Sequence, residues 1–125
     1  MRVSSNVENI FKILPNYFPM YVQRRIKLGI KMYGIHPDDK IAQHIIKMSP
    51  KFDEPILIPR KKYKLQADIA IWDNKIGHMS SEKSGFSIII ESKEIADVMK
   101  YVFDLAYEEA KRLSKYRYIS KIKKK

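Results

Sequence analysis

The hydrophobic and polar positions of the chain follow two periods, one typical of helices and one typical of strands. The apolar residues of 4–14 and of 19–28 recur every three to four positions, which predicts two amphipathic helices. Pro15 ends the first helix, because proline cannot continue the helical hydrogen-bond ladder. Gly29 is a typical C-terminal stop for the second helix. The chain is therefore expected to begin with two consecutive helices.

The next segment predicts a strand, a helix and another strand. Residues 30–35 are largely apolar and indicate a strand, and the apolar stripe of residues 39–48 indicates a helix. The turn over residues 36–39 supplies acids that can cap this helix. Residues 56–58 form a short apolar run that Pro59 ends, as is typical of a strand. We expect this part of the sheet to be parallel.

The second half of the chain predicts a β-meander. Residues 67–72 and 75–80 alternate as strands on either side of Asp73-Asn74, a pair that tolerates the positive φ of a two-residue hairpin turn. The near-continuous apolar run of residues 86–90 predicts a third strand. Such a run is typical of a strand buried on both faces, so we expect a central position for it.

The longest predicted helix follows Ser92, which can cap it, and extends to about residue 115. Its apolar face is expected to pack on the sheet. The complete order, α-α-β-α-β-β-β-β-α, predicts an α/β domain over residues 1–115 with a mixed sheet, flanking helices and a basic tail over residues 116–125. The residues that define the apolar face of the helix are Ile95, Val98, Met99, Val102, Leu105, Ala106, Ala110 and Leu113.

The positive charge is concentrated at the C-terminal end. The 125 residues have a formal net charge of +11, and residues 111–125 contribute eight cations and no acid, so subtraction (11 − 8) leaves +3 for residues 1–110. This segment can neutralise nucleic-acid phosphates, lie on an anionic membrane, or act as a solubilising end, and these alternatives stay open. Two smaller groups, Arg24-Arg25-Lys27-Lys31 and Arg60-Lys61-Lys62-Lys64, are interpreted as solvated faces. The candidate nucleic-acid-binding residues are Lys111, Arg112, Lys115, Arg117, Lys121, Lys123, Lys124 and Lys125.

The sequence lacks the spacings that catalysis or metal binding would need. It contains no cysteine, which excludes a disulfide, a thiolate metal site and a cysteine nucleophile. It contains no glycine-rich phosphate motif and no nucleophile elbow. His36 with Asp38 and Asp39 is the one local group of metal-ligand types, and helix capping explains these acids better. We therefore predict no enzyme activity, no metal and no cofactor.

Other residues bear on location and partners. No apolar run approaches the roughly 20 residues that span a bilayer, and the N-terminus has no signal-peptide core, so a cytoplasmic location is expected. Trp72 precedes the hairpin turn, where edge packing is favoured over a ligand platform. Tyr101, Phe103 and Tyr107 exceed what one apolar stripe needs, which leaves open a self-association surface or partial exposure. His44 is expected at a packing boundary, and His78 in solvent.

Several motifs occur in a fixed order over residues 16–115. They are the basic segment 21–31 before a strand, the segments 69–72, 73–76 and 85–92, and the helix start 94–97 followed by Tyr101, Phe103 and Leu105. In this order and spacing the chain resembles the C-terminal effector domain of TrmB-type archaeal and bacterial transcriptional regulators.

The resemblance implies a phospholipase-D-like fold that serves in sensing or dimerisation rather than in catalysis. The H-x-K motif of the catalytic phospholipase D enzymes is absent at His36, His44 and His78. About 15 residues precede the matching region, too few for the DNA-binding winged helix of such regulators, so either a fragment or a free-standing effector domain is expected. A homodimeric regulatory module with a small-molecule effector is the leading hypothesis. A small protein that binds nucleic acid non-specifically through its tail is the alternative.

Overall fold

The computed structural model describes residues 1–6, 17–48, 53–65, 67–80 and 87–114. Within these ranges the chain forms six strands and three helices. The strands are β1 (Arg2–Ser4), β2 (Tyr33–Pro37), β3 (Glu54–Ile58), β4 (Ala67–Trp72), β5 (Lys75–Ser80) and β6 (Ser87–Glu91). The helices are α1 (Tyr17–Lys27), α2 (Lys40–Met48) and α3 (Lys93–Leu113).

The six strands form one mixed sheet in the order β3-β2-β1-β4-β5-β6. β1, β2 and β3 are parallel, whereas β4, β5 and β6 are antiparallel neighbours. The helices α1 and α2 provide the crossovers between the parallel strands, and the hairpin and the following loop connect the antiparallel ones. The prediction of a mixed α/β sheet, parallel first and antiparallel later, is confirmed.

The strand β1 corrects the prediction for the start of the chain. The pattern predicts a helix over residues 4–14, but Ser4 ends a strand, and residues 7–16 lie outside the described ranges. β1 pairs with β2 on one side and with β4 on the other. A strand of three residues is too short to show a two-residue period, so the sequence pattern did not reveal it.

The hairpin and the helix ends follow the sequence closely. Asp73 has φ 50° and Gly29 has φ 68°, so each occupies the left-handed conformation that its turn requires. Ser92 caps α3, and its side chain accepts a hydrogen bond from the backbone N of Ile95 at 3.3 Å. The strand predicted over residues 30–35 is shifted to Tyr33–Pro37, which places His36 inside the sheet rather than in a turn.

The main core lies between the sheet and α3. Side chains that alternate along the strands point towards this helix, and four helix residues meet them. α2 packs on the opposite face, where Ala42 and Ile46 contact Leu57. The buried residues of the α3 side are Ile35, Ile56, Ile58, Ile71 and Ile76 of the strands and Ala96, Phe103, Tyr107 and Ala110 of α3.

The strand β6 corrects a second prediction. Its apolar run predicts a central strand, but β6 forms the edge of the sheet and all five of its residues are exposed. Ile88, Ile89 and Ile90 are each 42–66 % exposed. An apolar run is typical of a strand buried on both faces, but it does not specify the neighbours of that strand in the sheet. The order of the hairpins, rather than hydrophobicity, places this strand at the edge.

One buried ion pair joins α1 to the sheet. Arg25 was expected on a solvated face, but it is 4 % exposed and donates to both carboxylate oxygens of Asp53, at 2.8 and 2.5 Å. Arg25 also donates to the carbonyl of Ile30, and Asp53 accepts from the backbone N of Met32. The pair therefore fixes the end of α1 against the starts of β2 and β3.

We expect Asp53→Asn to lower the free energy of unfolding by about 3–5 kcal/mol, because it leaves the Arg25 guanidinium buried without its counter-charge. Urea denaturation measures this loss. The matched control is Asp104→Asn, which breaks the exposed pair of Asp104 with Arg2 and should cost less than about 1 kcal/mol. Equal losses in the two variants would contradict this account.

Candidate functional site

A cavity of about 710 Å³ lies on the sheet face opposite α3. Its floor is formed by side chains that alternate along the strands, among them Val3, Ala70 and Trp72. α1 contributes Tyr21 and Val22 to its walls. The lining is mostly apolar, and its volume falls within the range of about 300–1,000 Å³ that is usual for small-molecule sites.

Three buried polar residues stand at one end of this cavity. β1, β2 and β4 are neighbours inside the sheet. Ser5 follows the C-terminal end of β1, His36 lies near the C-terminal end of β2 and Asp68 lies near the N-terminal end of β4, so the three residues are on the same side of the sheet. Each is less than 10 % exposed. The parallel pairing of β1 with β2 and the antiparallel pairing of β1 with β4 bring together residues that are far apart in the sequence.

The hydrogen bonds of His36 define which ring nitrogen is free. Nδ1 lies 3.2 Å from the carbonyl oxygen of Ser5 and 3.1 Å from its Oγ. A carbonyl oxygen only accepts, so Nδ1 carries the proton and Nε2 is the acceptor of the neutral ring. Nε2 has no hydrogen-bond partner in the described part of the chain. Nε2 lies over Gly34. A Cβ at that position would come within 2.4 Å of Nε2, so glycine leaves room for the imidazole ring.

Asp68 presents a second acceptor. Its Oδ1 accepts a hydrogen bond from the backbone N of Asn6 at 3.0 Å, and Oδ2 has no partner among the described residues. Burial raises the pKa of Asp68 above its ordinary value and lowers the pKa of His36 below its own. Both shifts have the same cause, since a low-dielectric surrounding disfavours the charged form of each group.

The arrangement of Ser5 and His36 is unsuited to nucleophilic catalysis. A base that activates serine must offer an unprotonated nitrogen to Oγ. Here the nitrogen beside Oγ is Nδ1, which already donates to the Ser5 carbonyl, and the free Nε2 does not contact Oγ. In this tautomer His36 therefore does not activate the Ser5 hydroxyl, and its Nε2 is a hydrogen-bond acceptor.

A second feature is the exposed apolar surface of α3 and β6, here called the α3–β6 surface. The helix has two apolar sectors. One sector packs on the sheet through Ala96, Phe103, Tyr107 and Ala110. The other, expected to belong to the core, is exposed. The α3–β6 surface comprises Ile88 and Ile90 of β6 and Ile95, Val98, Tyr101, Val102 and Leu105 of α3.

The aromatic residues of α3 divide between the two sectors. Phe103 and Tyr107 are buried and stack at 5.9 Å between ring centroids, so they do not contribute to a self-association surface as the sequence had left open. The Tyr107 hydroxyl donates to the carbonyl of Glu54 at 2.7 Å, and burial raises its pKa. Tyr101 is 69 % exposed. Of the three, only Tyr101 is available to a partner.

The structure describes two of the eight candidate nucleic-acid-binding residues. Lys111 pairs with Glu108 at 3.2 Å, and Arg112 pairs with Glu109. The other candidates lie outside the described ranges: Lys115, Arg117, Lys121, Lys123, Lys124 and Lys125.

The basic loop over residues 60–64 lies beside the C-terminal end of α3. The hydrogen bond from Arg112 lowers the pKa of Glu109, and the nearby positive charge of Lys62 lowers it further. Arg60, Lys61, Lys62 and Lys64 are exposed. Two cationic segments that are separate in the sequence therefore meet at one end of the molecule.

The remaining predicted residues have mixed outcomes. Asp39 caps α2, since its Oδ1 accepts from the backbone N of Ala42 at 2.8 Å, as predicted. His44 is exposed, so its prediction as a packing residue was wrong, whereas His78 is exposed as predicted. Trp72 packs over Gly77 and also lines the cavity. Among the described residues no three histidines, cysteines or acids cluster as metal ligands.

Sequence reasoning missed the polar end of the cavity. Ser5 was interpreted as a helix cap and His36 as part of a turn, and Asp68 was not singled out. The available signal was an acid at an inward-facing position of the alternating strand over residues 67–72. That signal gains meaning only once the register of β1, β2 and β4 is known.

No family model, no curated protein and no solved structure matches this chain. Within the described ranges, no helix has the length and apolar character needed to cross a bilayer.

We expect the free energy of unfolding to fall as the pH drops below about 6.5. His36 has a depressed pKa in the folded chain, so the unfolded chain binds its proton more readily below that pH. The contribution of His36 to the free energy of unfolding is fully present above the pKa of the unfolded chain. It is lost as the pH falls from that value to the lower pKa of the folded chain. Urea denaturation at about pH 7.5, 6.5 and 5.5 measures the trend.

The variant His36→Gln should show a shallower loss, and His44→Gln serves as the exposed control. The difference in the pH dependence of the free energy of unfolding between the original chain and His36→Gln separates the contribution of His36 from that of Asp68. The raised pKa of Asp68 acts in the opposite direction, because its contribution is present below pH 3.8 and is lost as the pH rises through its folded pKa. An identical pH dependence in His36→Gln and the original chain would refute the assignment.

Proposed function

We propose that the chain is a non-catalytic, cytoplasmic regulatory domain of a TrmB-like transcriptional regulator, which assembles as a homodimer and senses a small molecule. The observation that carries this proposal is the exposed α3–β6 surface. The order of strands and helices from β4 to α3 is compatible with the phospholipase-D-like effector fold that the sequence motifs imply.

The size of the α3–β6 surface supports a protein partner. Its seven side chains are 42–74 % exposed. At roughly 100 Å² each they present on the order of 700 Å², close to the roughly 800 Å² that one partner contributes to a standard protein–protein interface. Monomeric proteins rarely expose apolar patches of this size. Edge strands of monomers are usually protected by charges or proline, and β6 has three consecutive isoleucines instead.

The chemistry of the surface supports a second copy of the chain as that partner. An antiparallel pairing of two β6 strands about Ile89 would place Ile88 of one copy opposite Ile90 of the other. The residues Ile95, Val98, Val102 and Leu105 follow the three-four-three spacing of a coiled-coil seam. Both features are self-complementary, as a twofold interface requires.

The position of the cavity supports a regulatory role for dimerisation. Ile89 and Met79 line the cavity on one face of β5 and β6. Ile88 and Ile90 point to the opposite face of the same edge strand. A ligand that shifts β6 would therefore change the surface on which the second copy packs, and the two binding events would be coupled.

We expect Leu105→Asp to weaken self-association at least tenfold, because it places a carboxylate at the most exposed apolar position of this surface. Sedimentation equilibrium measures the dissociation constant. Lys93→Gln is the control, since it also changes the net charge by −1 but lies on the charged side of α3, where Lys93 pairs with Asp97. A monomeric original chain, or equal effects of the two variants, would contradict the proposed dimer.

A second function, nucleic-acid binding, is favoured by the basic loop beside the end of α3. A nucleic acid bound at this end of α3 would be attracted by the cations of the loop and of the C-terminal segment, and such cations bind phosphates without reading sequence. Because Lys111 and Arg112 are partly neutralised by Glu108 and Glu109, the loop and the more distal tail cations would supply most of the attraction.

We expect Lys61→Gln with Lys62→Gln to weaken binding to an arbitrary DNA duplex and to reduce the salt dependence by about 0.9 per lost phosphate contact. Fluorescence anisotropy of a labelled duplex between about 50 and 200 mM salt measures both quantities. The control is Lys40→Gln with Lys47→Gln, two exposed lysines of α2. Equal affinities of the two double variants would count against this second function.

A further inference from the structure

We propose that the cavity binds a small organic amine, whose ammonium head contacts His36 Nε2 and Asp68 Oδ2 and whose apolar body extends along β4 towards Trp72. This inference rests on the sensing role proposed above and names the chemical class of the ligand.

The free atoms at the polar end of the cavity select hydrogen-bond donors. Nε2 of His36 and Oδ2 of Asp68 both accept, and neither has a partner within the described ranges. Both side chains are more than nine-tenths buried, and both line the cavity. An ammonium group offers up to three donors from one atom. Phosphates and carboxylates offer acceptors and would find no donor at these two atoms.

The charge of Asp68 favours a cationic donor over a hydroxyl. The carboxylate forms no salt bridge with any described residue, and the burial of an uncompensated charge is costly. The raised pKa of Asp68 reflects that cost. Arg25, the buried cation of the cavity lining, is already paired with Asp53 at the start of β3. A bound ammonium would supply the missing counter-charge.

The rest of the cavity suits an apolar body. Ala70 and Gly77 are opposite each other on β4 and β5 and form a flat floor between Asp68 and Trp72. A Cβ at Gly77 would lie 3.0 Å from Cζ3 of Trp72, so the glycine allows the indole to cover this strand. Asp68 and Trp72 stand four residues apart on β4, about 13 Å along the strand. That span accommodates an amine with an aryl or alkyl chain.

Trp72 provides a direct measurement, because it is the only tryptophan in the chain and lines the cavity. The probes are 2-phenylethylamine and hexylamine, titrated into the full chain with tryptophan emission excited at 295 nm and checked by isothermal titration calorimetry. The controls are N-acetyl-2-phenylethylamine and 2-phenylethanol, which keep the body but remove the positive charge. We expect saturable binding of at least one amine, with at least tenfold weaker binding of both controls.

Two variants test the site itself. Asp68→Asn should weaken amine binding about 10- to 100-fold, because it removes a charge-assisted hydrogen bond, whereas the exposed control Asp104→Asn should leave binding unchanged. Ala70→Leu keeps every polar group, fills the floor of the cavity and should also weaken binding. It provides the answer if Asp68→Asn does not fold, which thermal unfolding reports.

The failures of the two proposals can be distinguished. No saturable binding of either amine, equal binding of the acetylated control, or unchanged binding in Ala70→Leu would overturn the amine site. If that happens while Leu105→Asp still disrupts the dimer, the regulatory role stands and only the ligand class is wrong. Loss of the dimer proposal with retained amine binding would reject the regulatory role and leave the amine site standing.

Discussion

The double pairing of β1 is the constraint on which the remaining structure depends. Arg2, Val3 and Ser4 pair with β2 in parallel and with β4 in antiparallel orientation, so three residues join the two halves of the sheet. This pairing places Ser5, His36 and Asp68 beside one another at one end of the cavity. On the opposite face of the sheet, α3 packs across both halves. The buried pair of Arg25 with Asp53 reinforces the same region, because it holds α1 against the entry to β2 and β3.

The helix α3, which has 21 residues and directly follows the edge strand β6, has two apolar sectors. One sector packs against the core of the chain, and the second leaves Ile95, Val98, Val102 and Leu105 exposed near the edge strand β6. A helix that is apolar over so much of its circumference is typical of burial on more than one side. This exposed apolar surface is the observation on which the proposed homodimer rests.

The cavity and the α3–β6 surface use opposite sides of the same strands. Burial lowers the pKa of His36 and raises the pKa of Asp68, because a surrounding of low dielectric constant disfavours the charged form of each group. A ligand that donates hydrogen bonds to these groups would stabilise the site. Ile89 lines the other end of the cavity and belongs to β6, the edge strand on which a second copy is proposed to pack. In the proposed function, ligand binding on one face and assembly on the other would both involve β6.

The sequence by itself determined the local structure: the hairpin at Asp73, the cap at Ser92, the stop at Gly29 and the observed bounds of the two hairpin strands. These features depend on backbone preferences and short-range hydrogen bonds, which neighbouring residues set. Tertiary structure alone decided that β6 is an edge, that Arg25 is buried, and that Phe103 rather than Val102 faces the core. It also decided the candidate site, because Ser5, His36 and Asp68 are separated by about 30 residues each and only the strand order brings them together. Hydrophobic periodicity predicts which side chains tend to be buried. The contacts that bury them depend on the pairing of strands that are far apart in the sequence.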